Sequence, residues 1–508
     1  MFVIDWLAKQ AALRPEKAAL VDLASGRRIN YRQLDERASR FAEFLRERCG
    51  IAPGDRVAVL AHNCSDYFEM LYGCAKIGAI QVCLNWRLSV DENRVVLADS
   101  GAAGLVYGAD FDAAAHELCA VGGPRRLARL GGGAPGVPAY EEALAQSSGR
   151  PIEMPCRGMD EVWYLLYTSG TTGKPKGVIQ TYGMTFFNGV NAILAAKLTR
   201  DDVLLSLLPY FHTGGLNLYV NPLIQAGGTT YVMQQFDTER TIELLERDVT
   251  VFFGVPAIYL FLSQHPRFAK ADFSRVRTWA CGGAPIAKSL LEQYLAKRIT
   301  ICTGFGMTET GPTVFLSDEE TARRKIGSVG KPVSYALTKV VDDEGRELGP
   351  NQRGERLVKG PGITPGYWNN PQATQAAIRD GWLWSGDVAY YDEDGDYYIV
   401  DRSKDMYISG GENVYPAEVE NVLFQMEAIA EAAVIGVPDA KWGEVGKAIV
   451  ALKPGAALAP EAIAKFCRER LAGYKVPKSF EFVPALPRNA AGKVVKPQLR
   501  ELYGAKAG

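Results

Sequence analysis

Residues 167–177 read YTSGTTGKPKG, and their chemistry is that of a polyphosphate cradle. Gly170, Gly173 and Gly177 let the backbone approach a ligand and turn its N–H groups toward it. Thr168, Ser169, Thr171 and Thr172 add hydroxyl donors, and Lys174 and Lys176 add positive charge. The stretch is not a Walker A loop, which has a longer spacing between its glycines and a Ser or Thr after its lysine. Here two residues separate Gly170 from Gly173, and Pro175 follows Lys174. A Gly/Ser/Thr run can also be a plain surface loop, so the elements around it decide its meaning.

An apolar run, VWYLLY, leads into the loop and VIQ leads out, and both read as buried strands. Upstream, residues 1–50 read as helical with a turn at Ser25-Gly26. Strand, helix and strand follow at 56–60, 67–77 and 79–84, then a helix at 87–98 and a strand at 104–107. That order implies a parallel sheet. Residues 121–138 are rich in Gly and Pro and read as a loop. After the phosphate loop the alternation resumes, with strands expected at 203–208, 229–233, 249–255, 276–281 and 299–303 and helices between them, including one at 216–224. Ligands of such sheets bind beyond the carboxyl ends of the strands. Tyr210-Phe211-His212, Gly282-Gly283-Ala284-Pro285 and the run Gly304 to Glu309 all fall there. From about 326 the Asp-Gly and Glu-Gly turns between short strands predict an antiparallel β subdomain, and from about 402 a small α+β unit.

The bulk properties exclude several classes. At 508 residues the chain is long enough for more than one domain. A net charge of −1 offers no electrostatic case for a nucleic-acid partner. No apolar run reaches the roughly 18 residues of a membrane span, so no transmembrane segment is expected. The N-terminus lacks a basic, then apolar, signal-peptide pattern, and GAKAG at the C-terminus is not a peroxisomal address. Nine scattered cysteines without CxxC spacing read as reduced thiols of a cytoplasmic protein, and the four histidines do not cluster as metal ligands.

Six stretches, in order, resemble the motifs of the adenylate-forming superfamily, which comprises acyl-CoA synthetases, peptide-synthetase adenylation domains and beetle luciferases. Residues 167–177 resemble its phosphate-binding signature, and YFHTGG (210–215) its acyl-site segment. TGFGMTETGP (303–312) resembles the adenine- and magnesium-binding segment, and GWLWSGD (381–387) the ribose-binding segment. DRSKDMYISGGENVYPAEVE (401–420) resembles the hinge and thiol tunnel, and PRNAAGKV (487–494) the catalytic-lysine segment. Phe305 and Ser385 stand where tyrosine and threonine are more usual, and keep an aromatic face and a hydroxyl respectively. The chain is identified as similar to the acyl-CoA synthetases, AMP-forming acid:CoA ligases.

That resemblance implies an α/β fold. A large domain, 1–400, would be built of parallel α/β subdomains and the β subdomain (about 326–400). A small mobile α+β domain, 401–508, would be hinged at Asp401. It implies ATP, Mg²⁺ and coenzyme A as cofactor and co-substrates, and a small carboxylic acid as substrate. Lys493 would bridge the carboxylate and the α-phosphate, and Thr308 would donate to that phosphate. Glu309 and Thr168 would hold the metal, which takes oxygen donors. The loop from Thr168 to Lys174 would take the phosphates, with Gly283, Ala284, Pro285, Gly304, Phe305 and Gly306 around adenine and Asp387 with Arg402 on ribose. Gly410 and Gly411 would line the pantetheine tunnel. His212 would border the acyl pocket, where amino-acid-activating relatives carry an aspartate, which argues against an amino-acid substrate. Gly214 and Leu218 stand where 4-coumarate ligases carry more polar residues, which favours a medium-chain fatty or alicyclic acid and leaves aryl and phenylpropenoic acids open. Loading of an acyl carrier protein in trans is the alternative to CoA, and a homodimer is the family's expectation.

Overall fold

The computed structural model describes the chain except residues 121, 169–174, 403, 404, 411, 440, 490–493 and 505–508 and the side chain of Arg402. Two mostly parallel sheets form its main body. In the first, strands run in the order 176–181, 162–168, 80–83, 56–60, 104–108, 125–130. All neighbours are parallel except the first pair, which is antiparallel. In the second, the order is 315–316, 301–305, 278–281, 251–254, 203–206, 229–232, 18–22, 28–30. The apolar runs of these strands are buried on both faces because helices cover the sheets. An antiparallel sheet follows, with strands 337–341, 354–359, 382–391 and 397–402 and a short pair at 378–379. The last sheet is built on a long hairpin, Ile429–Asp439 with Gly443–Leu452. No helix among the described residues is long and apolar enough to cross a membrane.

Several expectations are corrected. Residues 1–50 are not all helical, because Ala18–Asp22 and Arg28–Asn30 form a hairpin about the Ser25-Gly26 turn. The Ala-rich run becomes a strand by pairing with Thr229–Val232, where tertiary context overrides propensity. The Gly/Pro-rich 121–138 segment contains the strand Arg125–Leu130, whose arginines suit an exposed edge. The expected helix at 216–224 is two pieces, Thr213–Leu216 and Val220–Ala226.

Buried charge ties the N-terminal helices together. The ammonium of Lys76, at the end of the buried helix Asp66–Ile77, is 1 % exposed and lies 2.9 Å from Asp5 and 2.8 Å from Asp35. Asp5 caps the helix Trp6–Leu13 and Asp35 stands in the helix Tyr31–Glu43. Lys76→Met strands two buried carboxylates and is expected to cost about 3–5 kcal/mol of stability, read as a lower urea midpoint.

Candidate active site

The strand Val162–Thr168 ends at the phosphate loop, and Lys176–Thr181 leads away from it. The two pair antiparallel with Lys176 opposite Thr168. Of the expected cradle only Thr168 is described; Ser169, Gly170, Thr171, Thr172, Gly173 and Lys174 lie outside the described residues, as do Gly411, Lys493 and the side chain of Arg402.

The outer edge of Lys176–Thr181 is stapled to residues 364–368. Trp368 N donates to Gly177 O at 2.7 Å, Ile179 N to Gly366 O at 3.1 Å, and Thr364 Oγ1 to Ile179 O at 2.7 Å. This staple sets Tyr367 against the strand Lys176–Thr181. Lys176 Nζ lies 5.1 Å from the centre of the Tyr367 ring, a cation–π contact. The Tyr367 hydroxyl donates to Glu309 Oε1 at 2.9 Å. Burial, with Glu309 beside it, pushes the Tyr367 phenol far above its usual range, so it stays a donor. Lys176 and Glu309 thus meet on Tyr367, and Thr168 stands opposite Lys176 in the ladder. The donor set of Glu309 and Thr168, a carboxylate and a hydroxyl, is the hard oxygen set that Mg²⁺ takes.

Thr308 and Glu309 are both buried on a short 3₁₀ turn after the strand Ile301–Phe305. A buried amide network fixes that turn. Gln180 Nε2 donates to Thr308 O at 3.1 Å, and Asn217 Nδ2 donates to Gln180 Oε1 at 3.2 Å. Asn188 Nδ2 donates to Asn217 O at 2.7 Å, and Asn188 Oδ1 accepts from Thr313 N at 3.1 Å. Gly306 tolerates no side chain, because a Cβ there would lie 1.4 Å from Pro312 O.

Gly304 and Phe305 end that strand, and a Cβ on Gly282 would lie 3.1 Å from Gly304 O. The expected adenine-flanking segments are thus side by side, with Gly283, Ala284 and Pro285 exposed at the strand end. Asp387 sits in the strand Trp382–Tyr391, 3 % exposed, just past a bulge against Glu355–Leu357. Gly386 supplies the positive φ (+70°) and donates to Glu355 Oε1 at 2.9 Å, while Ser385 Oγ accepts from Asp387 N at 3.2 Å. The bulge leaves Asp387 without a ladder partner on Gly354–Lys359, while on its other side it pairs with Arg402.

His212 Nδ1 accepts from Gly214 N at 3.1 Å, which leaves the proton of a neutral ring on Nε2. Gly214, Gly215 and Leu218 line a small cleft with Leu204, Ser206, Tyr219 and Phe253. Among the described residues no charged side chain lines it. Gly410 follows the strand Tyr407–Ser409 and donates to Trp442 O at 2.8 Å. Tyr367 and Gln180 escaped the sequence reading. Gln180 lies in the VIQ run beside the phosphate loop, a polar residue in a buried strand, and Tyr367 in an irregular GYW segment without periodicity.

Comparison with known proteins follows this geometry. The AMP-binding enzyme family matches residues 7–368, and the AMP-binding enzyme C-terminal domain matches 418–493. A feruloyl-CoA synthase from Amycolatopsis is 41 % identical over 501 residues, covering 98 % of this chain and 99 % of its own. A long-chain-fatty-acid–CoA ligase of Mycobacterium tuberculosis is 38 % identical over 508 residues, covering 99 % of each. The solved structure of o-succinylbenzoate CoA synthetase from Bacillus subtilis, in complex with its acyl-adenylate intermediate, superposes with a TM-score of 0.87 at 32 % identity over 98 % of each chain. On these family matches and relatives the chain belongs to the AMP-binding enzyme family as an AMP-forming acyl-CoA synthetase.

Proposed function

We propose that the acid is apolar, a medium-chain fatty acid or an aryl or phenylpropenoic acid. The observation that carries this is the lining of the small cleft at Gly214, Gly215 and Leu218, which is apolar apart from Ser206 and has no charged side chain among the described residues. A pocket of this kind leaves a second carboxylate or an ammonium unpaired, at high cost. The full-length relatives lend support, being named for feruloyl and long-chain fatty acid substrates.

Both reactants are anionic, so the protein's task is neutralisation and alignment rather than nucleophilic catalysis. Thr308 presents its hydroxyl to the α-phosphate, and Lys493 bridges that phosphate and the incoming carboxylate. Thr168 to Lys174 cradle the remaining phosphates. Phe305 and the Gly283-Ala284-Pro285 edge hold adenine, and Asp387 with Arg402 accepts and orders the ribose hydroxyls. Mg²⁺, held by Glu309 and Thr168, would supply charge neutralisation of the phosphates when bound. The small domain (401–508) turns about Asp401, whose Oδ2 accepts from Ala417 N at 2.9 Å. That turn would bring Gly410 and Gly411 to the pantetheine path. The enzyme is read as cytoplasmic on its nine free cysteines, and as a homodimer on its family; sedimentation equilibrium tests the dimer.

Pyrophosphate release with ATP, Mg²⁺ and CoA, over acids from acetate to palmitate plus benzoate, 4-coumarate and malonate, tests the substrate class. An optimum among apolar acids is expected. Activity on malonate alone overturns the apolar reading, and silence on every acid with CoA moves the acceptor to a carrier protein. In the same panel Gly214→Ala is expected to shift the optimum to smaller acids. Its Cβ would stand 3.3 Å from His212 Nδ1 and 3.4 Å from Leu208 Cδ1, at the cleft wall. An unchanged acid profile removes Gly214 from the pocket.

A further inference from the structure

Arg356 is fully buried, 0 % exposed, in the strand Gly354–Lys359. It stands opposite the bulge at Asp387: its neighbours Glu355 and Leu357 pair with Val388 and Trp384. Its guanidinium carbon lies 4.2 Å from the centre of the Phe305 ring and 5.6 Å from that of Phe315. Its Nη2 donates to Asp387 Oδ2 at 3.4 Å. Nε and Nη1 are buried without a hydrogen-bond partner among the described residues. Burial pulls this guanidinium below its usual range, and Asp387 opposes that pull.

As a fold element the arrangement is poor. Desolvating a guanidinium is expensive, and one long hydrogen bond and two ring faces do not return it in full. An apolar side chain of similar volume would fill the space between Phe305, Phe315 and Val358 at least as well. The charge is instead placed where it touches the two side chains that meet the nucleoside.

We propose that Arg356 is a positioning residue for the nucleotide, tying Phe305 on the base and Asp387 on the ribose into one unit from behind. The proposal rests on the reading of those two residues above. The guanidinium gives a buried carboxylate the counter-charge it requires. It thereby offsets the repulsion between Asp387 and an approaching polyanionic triphosphate, and it packs over Phe305 and fixes the ring plane. Base stacking and ribose recognition then depend on one shared support.

The test uses the whole enzyme with ATP, 2′-deoxyATP and 3′-deoxyATP, in Arg356→Met, Arg356→Lys, Asp387→Asn and the Met/Asn double variant, with thermal unfolding of each. Arg356→Met is expected to unfold at or above the wild-type temperature and to raise KM for ATP about tenfold, the scale of one charge-assisted hydrogen bond. KM for the acid should hold. The preference for ATP over the deoxynucleotides should shrink, and Asp387→Asn should add little in the double variant. Arg356→Lys should recover part of the KM. Wild-type KM for ATP and undiminished ribose discrimination in Arg356→Met overturn the proposal. If Arg356→Met does not fold, Arg356→Lys carries the test, since it keeps the charge and shortens the reach; unchanged discrimination there overturns it equally. Ribose discrimination that survives Asp387→Asn alone instead overturns the reading of Asp387, and with it this proposal. Discrimination lost in Asp387→Asn but kept in Arg356→Met removes Arg356 only.

Discussion

Lys493→Ala should slow acyl-adenylate formation about 10²–10³-fold, the scale of removing one preorganised donor from a charged transition state. Transfer of the acyl group from supplied acyl-adenylate to CoA should stay close to the wild-type rate. The assignment rests on the PRNAAGKV motif, since Lys493 itself lies outside the described residues. The described residues on either side of it are tied to one another and to the sheet. Arg488 and Val494 form an antiparallel bridge, Val495 N donates to Pro487 O at 2.9 Å, and Leu486 N donates to Glu431 Oε2 at 3.0 Å. The neighbouring cation is committed elsewhere, since Lys496 Nζ lies 2.9 Å from Glu420 Oε1. Pyrophosphate exchange reports the first half-reaction, and thioester formation from isolated acyl-adenylate the second. Equal losses in both would remove Lys493 from this role and point to a loop that matters for folding.

The alternation of strands and helices across 56–107 and 203–303 was readable because long apolar runs with Gly and Pro boundaries leave little choice of element. The hairpin at 18–30 was not, because Ala18 and Ala19 carry no strand preference of their own, and the strand they open is held by pairing of Leu20–Asp22 with Thr230–Val232, over two hundred residues away. The same reason hid Arg125–Leu130, a strand only by virtue of its pairing with Gly104–Gly108. At the expected site the need for glycine was legible at Gly306, packed against Pro312 O, and at Gly386, where the bulge takes a positive φ. Tyr367 and Arg356 were not. Their significance comes from contacts with Glu309 and Asp387 across 58 and 31 residues of sequence. Nothing in GYW or in GERLVK signals what lies opposite, since Arg356 stands in one short strand with two other charged residues, Glu355 and Lys359.

Glu309→Gln tests the corner where the phosphate loop meets the rest of the nucleotide site. The substitution keeps size, and its amide oxygen still accepts from Tyr367, so the buried turn at Thr308–Thr310 should hold. What is lost is one negative charge among oxygen donors suited to Mg²⁺. The expected result is a fall in adenylation of about 10²-fold with a higher Mg²⁺ concentration at half-maximal rate, and a protein that unfolds near the wild-type temperature. Chelation with EDTA should abolish adenylation in both proteins. Tyr367→Phe separates charge from orientation. It removes the donor to Glu309 Oε1 but leaves the ring under Lys176 Nζ, so a smaller loss of about tenfold is expected, with the same shift in Mg²⁺ dependence. If Glu309→Gln lowers the rate while its Mg²⁺ profile stays that of the wild type, Glu309 acts on the phosphates or on the turn and not through the metal. If Tyr367→Phe then behaves as wild type, the hydroxyl is satisfying a buried carboxylate and has no share in placing it. A shift in both variants, graded by the size of the perturbation, is the outcome that a carboxylate held by a phenol and aimed at a cation requires.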